Sequence, residues 1–364
     1  MQPPQRGFTL IELMVGVALG LLATVVIATV LLQSEGNKRT TTSGADAQVM
    51  GATALFTLQR DIQAAGYGLT SAPGALGCAL AGRFNATVVL NPAVDRLAPV
   101  VIGFGATSAD SDTITVMASG KAGSSVPIKV VSNHGQIDST FTVASNLGVA
   151  ANDLLLAVSE SKGCTLFMAS GISPTTEVPH AAAASGWNAS TAIFPSDGYL
   201  AGVSQLVNLG AAPVRRRYSV DTASWSLQMQ DTMTSAGAGR VVQQMFSQIV
   251  LLKALYGKAS SVNGVVTSYS AVAPTTDAEW RLVRAVRVAV VARSSQYEKT
   301  VVTANSPEWE VGALAAGTAA CTGAASRKCL ALNVSASGPS NAWQHYRYKI
   351  FDTVVPLRNI VWNQ

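Results

Sequence analysis

The chain has 364 residues, of which 48% are hydrophobic and only 12% charged, with a formal net charge of +5. That charge content is about half the globular average, and so small a positive balance argues against a dedicated nucleic-acid surface. The length leaves room for one large or two small domains with a packed core.

The first element is Phe8 to Leu32, an apolar run whose one ionisable residue is Glu12. As a helix it would reach roughly 37 Å at about 1.5 Å per residue, enough to cross a bilayer core of about 30 Å. It is too long for the apolar region of an ordinary signal peptide, and no Ala-x-Ala site follows it. A short leader, Met1 to Gly7, precedes it instead. A carboxylate near the end of a membrane helix costs free energy and suggests function. Basic residues do not orient the helix: Arg6 lies before it, and Lys38 and Arg39 lie after it.

Arg6-Gly7-Phe8-Thr9-Leu10-Ile11-Glu12 resembles the type IV prepilin motif. The resemblance implies cleavage by a prepilin peptidase between Gly7 and Phe8, and N-methylation of Phe8. Loss of Arg6 with the leader gives +5 − 1 = +4. The resemblance also implies a subunit held in the inner membrane of a Gram-negative bacterium with a periplasmic head. Its helix would later pack into a filament core at the cell surface. Glu12 would pair with the amine of a neighbouring subunit, since a paired buried charge is tolerable where an isolated one is not.

Gln33 to Ser43 is polar, with Gly36 and the weak helix formers Thr40, Thr41 and Thr42, so softening or a kink is expected near Gly36 or Gly44. From Ala45 a helical stripe returns at Met50, Leu55, Leu58, Ile62 and Ala65, against Gln59, Arg60 and Gln63. Gly66 and Gly68 suit the helix end. The organisation read from this is a leader over 1–7 and a membrane and filament-core helix over 8–32. A helix continuation over 33–66 packs on the head, and residues 67–364 form a β-rich head. Leu58-Gln-Arg-Asp-Ile-Gln-Ala-Ala-Gly-Tyr67 resembles the end of this helix in the PilW family of minor pilins, and more distantly the J-type pseudopilins of type II secretion. Arg60 and Asp61 read as a solvated or helix-packing pair.

After Tyr67 short β-branched runs appear at 100–104, 113–117, 128–131, 140–143, 154–158 and 164–168, bounded by Gly, Ser and Asp. With no long helix between them they indicate antiparallel sheet. Residues 171–198, rich in Ala, Ser, Pro and Thr, read as an irregular surface insertion. Val214 to Val220 is a strand paired with Leu227 to Gln230. It carries Arg215, Arg216 and Arg217, which read as a solvated face because no aromatic interleaving accompanies them. Gly239 to Ser247 reads as a short helix leading into a strand from Ile249 to Tyr256.

Trp280 to Ser294 contains the clearest strand, with Val286, Val288 and Val290 on one face and Arg287, Ala289 and Val291 on the other. The block Tyr346 to Asn359 alternates Tyr346, Tyr348 and Ile350 against Arg347, Lys349 and Phe351. Both regions, with Ala254-Leu-Tyr-Gly257, resemble the PilW C-terminal region. The resemblance leaves out roughly residues 70–240.

Cys78, Cys164, Cys321 and Cys329 form no Cys-x-x-Cys, and no histidine cluster accompanies them, which argues against zinc. An even number beyond a membrane anchor suggests disulfides in an oxidising compartment. Of the three pairings, the short loop favours Cys321–Cys329, leaving Cys78–Cys164. His134, His180 and His345 are far apart, and neither His-Glu-x-x-His nor Gly-x-Ser-x-Gly occurs. Gly120-Lys121 and Gly257-Lys258 lack the Ser or Thr of a phosphate loop, and Gly103-Phe-Gly105 is half a dinucleotide fingerprint inside a strand. Asp110-Ser-Asp112 lacks the rest of a calcium loop.

The sequence therefore predicts an α+β, type IV pilin-like fold with no catalytic site, cofactor or metal. The resemblance implies a PilW-type minor pilin that primes pilus assembly at or near the tip. Its partners would be the prepilin peptidase, the inner membrane, other minor pilins, the major pilin and a large tip adhesin, with no nucleic acid. A J-type secretion pseudopilin and a membrane-anchored surface adhesin are the alternatives.

Overall fold

The structure is a computed structural model that describes residues 7, 9–69, 72–85, 87–121, 126–160, 162–171, 175–182, 186–188, 193–233, 241–312 and 319–362. One α-helix runs unbroken from Leu10 to Ala64. The helical hydrogen bonding continues through Gly36 and Gly44, where softening or a kink is expected from the sequence. Nothing packs within 4 Å of where a side chain at either glycine would begin. Two glycines cost about 1 kcal/mol each in propensity. That is too little to break a helix extended by an apolar run on one side and seated on a core on the other.

The helix meets two sheets. The five-stranded antiparallel sheet has the order Val242–Ser247, Ser226–Asp231, Val214–Asp221, Thr113–Ala118, Val100–Gly103. The four-stranded antiparallel sheet has the order Val266–Ser270, Ile249–Ala259, Val283–Arg293, Tyr348–Pro356. Period-two alternation sorts the long central strands. Val286, Val288 and Val290 join helix residues Ala54, Leu58 and Ile62 in one core, with Ile114, Val116 and Tyr218 from the five-stranded sheet. Ala289 and Val291 face the opposite way, into a second cluster around Trp309. That side is covered by the three-stranded sheet Glu308–Glu310, Ala324–Ala331, Ala319–Cys321. Each fully buried aliphatic side chain contributes about 1.5–3 kcal/mol.

Two sequence expectations are corrected here. The segment read as a helix ending at Ser247 is the strand Val242–Ser247, paired with Ser226–Asp231. Gln248, at φ +60°, then turns the chain into the four-stranded sheet. The strand expected within Trp280–Ser294 is Val283–Arg293, and Trp280 itself belongs to a short helix, Asp277–Arg281, capped by the Thr276 side chain. The C-terminal strand begins at Tyr348, so Tyr346 lies outside its alternation. Tyr348 and Ile350 pack toward the Trp309 cluster, while Phe351 and Val355 pack toward the helix.

A second lobe holds a six-stranded sheet in the order Thr87–Leu90, Leu80–Phe84, Cys164–Met168, Leu154–Val158, Gln205–Gly210, Ile128–Lys129. Among the described residues its one parallel pair joins Leu80 and Ala81 to Cys164 and Thr165. Both faces are buried: Leu154, Leu156 and Leu166 on one, Leu155, Ala157 and Phe167 on the other. Residues 171–198 are not a surface insertion in their described part. Glu177–Pro179 pairs with Thr140–Thr142, and Val178, Trp187 and Phe194 are buried.

Candidate functional site

The helix starts with a reciprocal cap. Thr9 is the N-cap, in extended conformation at φ −77° and ψ 152°. The Glu12 amide donates to Thr9 Oγ1 at 3.3 Å. In return the Thr9 amide donates to Glu12 Oε2 at 3.0 Å, and the Thr9 hydroxyl donates to the same oxygen at 2.9 Å. This is the Ser/Thr-x-x-Glu capping box, which satisfies orphan amides at a helix start. Thr9-Leu-Ile-Glu12 carries that signal in the sequence, where Thr9 is as much a part of it as Glu12. Gly7 is exposed, and Phe8 lies outside the described residues.

From Leu10 to Leu32 the apolar side chains of the helix are exposed. The helix is long and apolar enough to cross a membrane, with a window of mean hydropathy 2.7, none of it buried in the chain's own fold. Burial begins at Ser43 and then follows Ala47, Gly51, Ala54, Leu58, Ile62 and Ala65. The spacings of three and four trace one face of an α-helix. A Cβ on Gly51 would overlap the Phe351 ring, so the smallest residue lets the helix lie against the C-terminal strand.

The end of the helix is tied from several directions. Asp61 accepts from Arg216 Nη1 at 2.8 Å and from the Tyr218 hydroxyl, so its partner is across the core rather than Arg60. Burial and the Asp61 carboxylate hold the Tyr218 phenol well above the ordinary tyrosine range. Arg215 is buried and donates to Asp95 and Thr232. Two of the three consecutive arginines thus hold the fold together, and of the three only Arg217 is exposed. Gly66, at φ +83°, donates its amide to Met117 O at 2.8 Å, and a Cβ there would come within 2.8 Å of Pro99 Cγ. Asn359, beyond the last strand, donates its side-chain amide to Ala65 O at 2.9 Å.

The cysteines are joined as Cys78–Cys164, with Cα atoms 5.8 Å apart, and Cys321–Cys329, at 4.8 Å. Asp112 is buried and accepts from the amides of Gly105 and Ala254, both at 2.9 Å, with Lys253 at 3.3 Å. Asp110 closes a turn on Thr107. Among the described residues no group of three or more His, Cys, Asp or Glu is placed to hold a metal ion. His345 stacks on Tyr297 with its Nδ1 2.7 Å from Glu298 O, whereas His134 and His180 meet, Nε2 to Nε2, at 2.8 Å.

An unburied apolar helix with a capped N-terminus, seated by its second half on antiparallel sheets, defines a type IV pilin-like subunit. Residues 217–359 match the family described as Type IV Pilus-assembly protein W, and residues 3–28 match the Prokaryotic N-terminal methylation motif. The C-terminal part of the chain is thus similar to the PilW family, and its N-terminus carries the methylation motif of prepilin-like proteins. No curated protein and no solved structure matches the chain.

Proposed function

We propose that this chain is a minor pilin that primes type IV pilus assembly and stands at or near the filament tip with other minor pilins. The observation that carries the reading is the PilW-type region, residues 217–359, on a helix that carries the methylation motif. The match begins inside the strand Val214–Asp221, so it takes in the whole four-stranded sheet and the C-terminal strand on which the helix is seated. The six-stranded sheet of the second lobe stands outside that match, with a hydrophobic cluster of its own around Phe141 and Phe167. A subunit bearing so large an addition is accommodated more readily at an end of the filament, where nothing stacks above it, than in a repeating shaft. Cleavage after Gly7, methylation of Phe8 and entry into the inner membrane with a periplasmic head belong to the same reading.

Mass spectrometry of sheared filaments tests it. The chain is expected at trace stoichiometry beside the major pilin and several other minor pilins, and its deletion is expected to abolish most filaments. Abundant incorporation along the shaft, or co-purification with a secretion apparatus in place of a pilus, would refute the tip assignment. Processing has its own check. Gly7 supplies the backbone freedom an extended chain needs in a protease, so Gly7→Val is expected to leave an uncleaved precursor in the membrane, read by mass on an immunoblot.

A further inference from the structure

The second lobe has a titratable pair at its centre. His134 and His180 come from segments 46 residues apart, and their Nε2 atoms lie 2.8 Å from each other. Both rings are buried, at 1% and 6% exposure. His134 stacks on Phe141 with centroids 3.6 Å apart and meets Phe194 edge-on. His180 packs against Phe141, Phe167 and Phe194. The backbones are fixed as well: the His134 amide donates to Tyr199 O and the His180 amide to Ser139 O.

A contact between two Nε2 atoms has one proton in it, because one ring must donate and the other accept. Among the described residues His134 Nδ1 is buried without a hydrogen-bond partner. The tautomer that costs least places the shared proton on His134 Nε2 and leaves Nδ1 as a bare lone pair. A further proton then has two destinations. On His134 Nδ1 it makes a buried, unpartnered cationic N–H. On His180 Nε2 it sets two N–H groups face to face and breaks the bond. Either result is unfavourable in an apolar core.

We propose that the His134–His180 pair is an acid-sensitive latch: proton uptake opens the aromatic core of the second lobe while the helix and its four-stranded sheet stay folded. The surrounding charges do not remove this sensitivity. Asp138, in the turn after His134, is the charged group whose field reaches both rings, and it favours protonation. Burial outweighs it, holding His134 below the ordinary imidazole range, and burial with the neighbouring ring brings His180 down to about 4. Lys129 and Glu177 flank the core on the strands Ile128–Lys129 and Glu177–Pro179, and Lys162 pairs with Asp197 at 2.8 Å. Asp153 is held by Lys121 at 2.7 Å, and the Tyr199 phenol is pushed well above its usual range by burial. The strands Thr140–Thr142, Leu154–Val158, Cys164–Met168 and Gln205–Gly210 carry no charged residue.

The sign follows from the lowered folded-state values. The pair's contribution is complete above about pH 6.5, the unfolded histidine value. It is lost as pH falls toward about 4, because the opened lobe binds the protons that the closed lobe refuses. Hydrogen exchange of the full chain in detergent micelles, corrected for the intrinsic pH dependence of exchange, tests this. The open population seen by peptides from 139–143 and 164–169 is expected to rise about ten-fold per pH unit below about pH 6.5 for one proton taken up. Peptides from 249–259 and 283–293 are expected to stay level. The double variant His134→Phe/His180→Phe keeps an aromatic stack and is expected to flatten the profile. Asp138→Asn is expected to keep the slope, and loss of the slope there would assign the effect to the carboxylate and overturn the latch. Should the double variant not fold, C2-hydrogen exchange of each histidine in the unaltered chain decides: a midpoint below about 5 for either supports the latch, and two midpoints near about 6.5 sink it. Constant protection down to pH 4 also overturns it.

Discussion

At Gly51 the helix backbone lies against the Phe351 ring, with no room for a Cβ. Two effects of Gly51→Ala oppose each other. Removing a helix-interior glycine gains about 1 kcal/mol of propensity. Forcing a methyl group into a packed contact costs about 1–3 kcal/mol. Overpacking should win, because Phe351 sits in a strand fixed to Val283–Arg293 along its whole length. A lower thermal midpoint is expected for Gly51→Ala and a still lower one for Gly51→Leu. The double variant Gly51→Ala/Phe351→Leu should recover most of the Ala loss. A rise in midpoint for Gly51→Ala alone would show that the ring swings aside freely. Gly51 itself was invisible in the sequence, since a glycine between Met50 and Ala52 reads as a weak point in a helix and not as a contact. The histidine pair was equally hidden: two residues 46 positions apart carry no periodic signal that they will meet.

Among the elements, those with a period were legible. The long helix announced itself by its apolar run and its later stripe, and Val283–Arg293 by the period-two spacing of Val286, Val288 and Val290. The errors fall where period and packing disagree. Val241, Val242, Met245 and Phe246 are spaced like one face of a helix, yet cross-strand pairing with Ser226–Asp231 holds the segment extended through a register shift at Leu227. Short strands such as Leu80–Phe84 and Gln205–Gly210 contain glycine and polar residues, and only their neighbours make them strands. The Ala- and Ser-rich composition of 171–198 masked Val178, Trp187 and Phe194, which are isolated anchors rather than a pattern. The disulfides bear on this level too. Cys78–Cys164 spans a separation of 86 residues beside the lobe's only parallel pairing among the described residues. By loop entropy it should contribute about 4–5 kcal/mol, against about 2–3 kcal/mol for Cys321–Cys329 with a separation of 8. Cys78→Ser/Cys164→Ser is therefore expected to lower the denaturation midpoint more than Cys321→Ser/Cys329→Ser. Equal losses would show that unfolded-state entropy is not what the longer bridge acts on.

For the whole molecule the question is what Glu12 does once many chains assemble. The single chain already gives it a local task, because its carboxylate closes the cap with Thr9. The prepilin reading gives it a second task, pairing with the Phe8 amine of a neighbouring subunit as that amine enters an apolar core. The two separate by substitution. Glu12→Ala removes both cap and charge. Glu12→Gln keeps an oxygen for the Thr9 amide, as the capping box allows, and removes only the charge. Both variants should insert and be cleaved, since losing a charge makes the segment more apolar. If charge pairing drives assembly, both should fail to co-purify with the other minor pilins, because the amine would then be buried without a counter-charge. If the cap is what matters, Glu12→Gln should assemble like the unaltered chain and only Glu12→Ala should fail. A subunit at the extreme tip has no neighbour above it for Glu12 to meet, so normal assembly of both variants, with partners retained, would place the chain as the cap of the filament. Normal insertion of the unaltered chain with no partners recovered at all would reduce it to a plain membrane anchor and overturn the pilin reading.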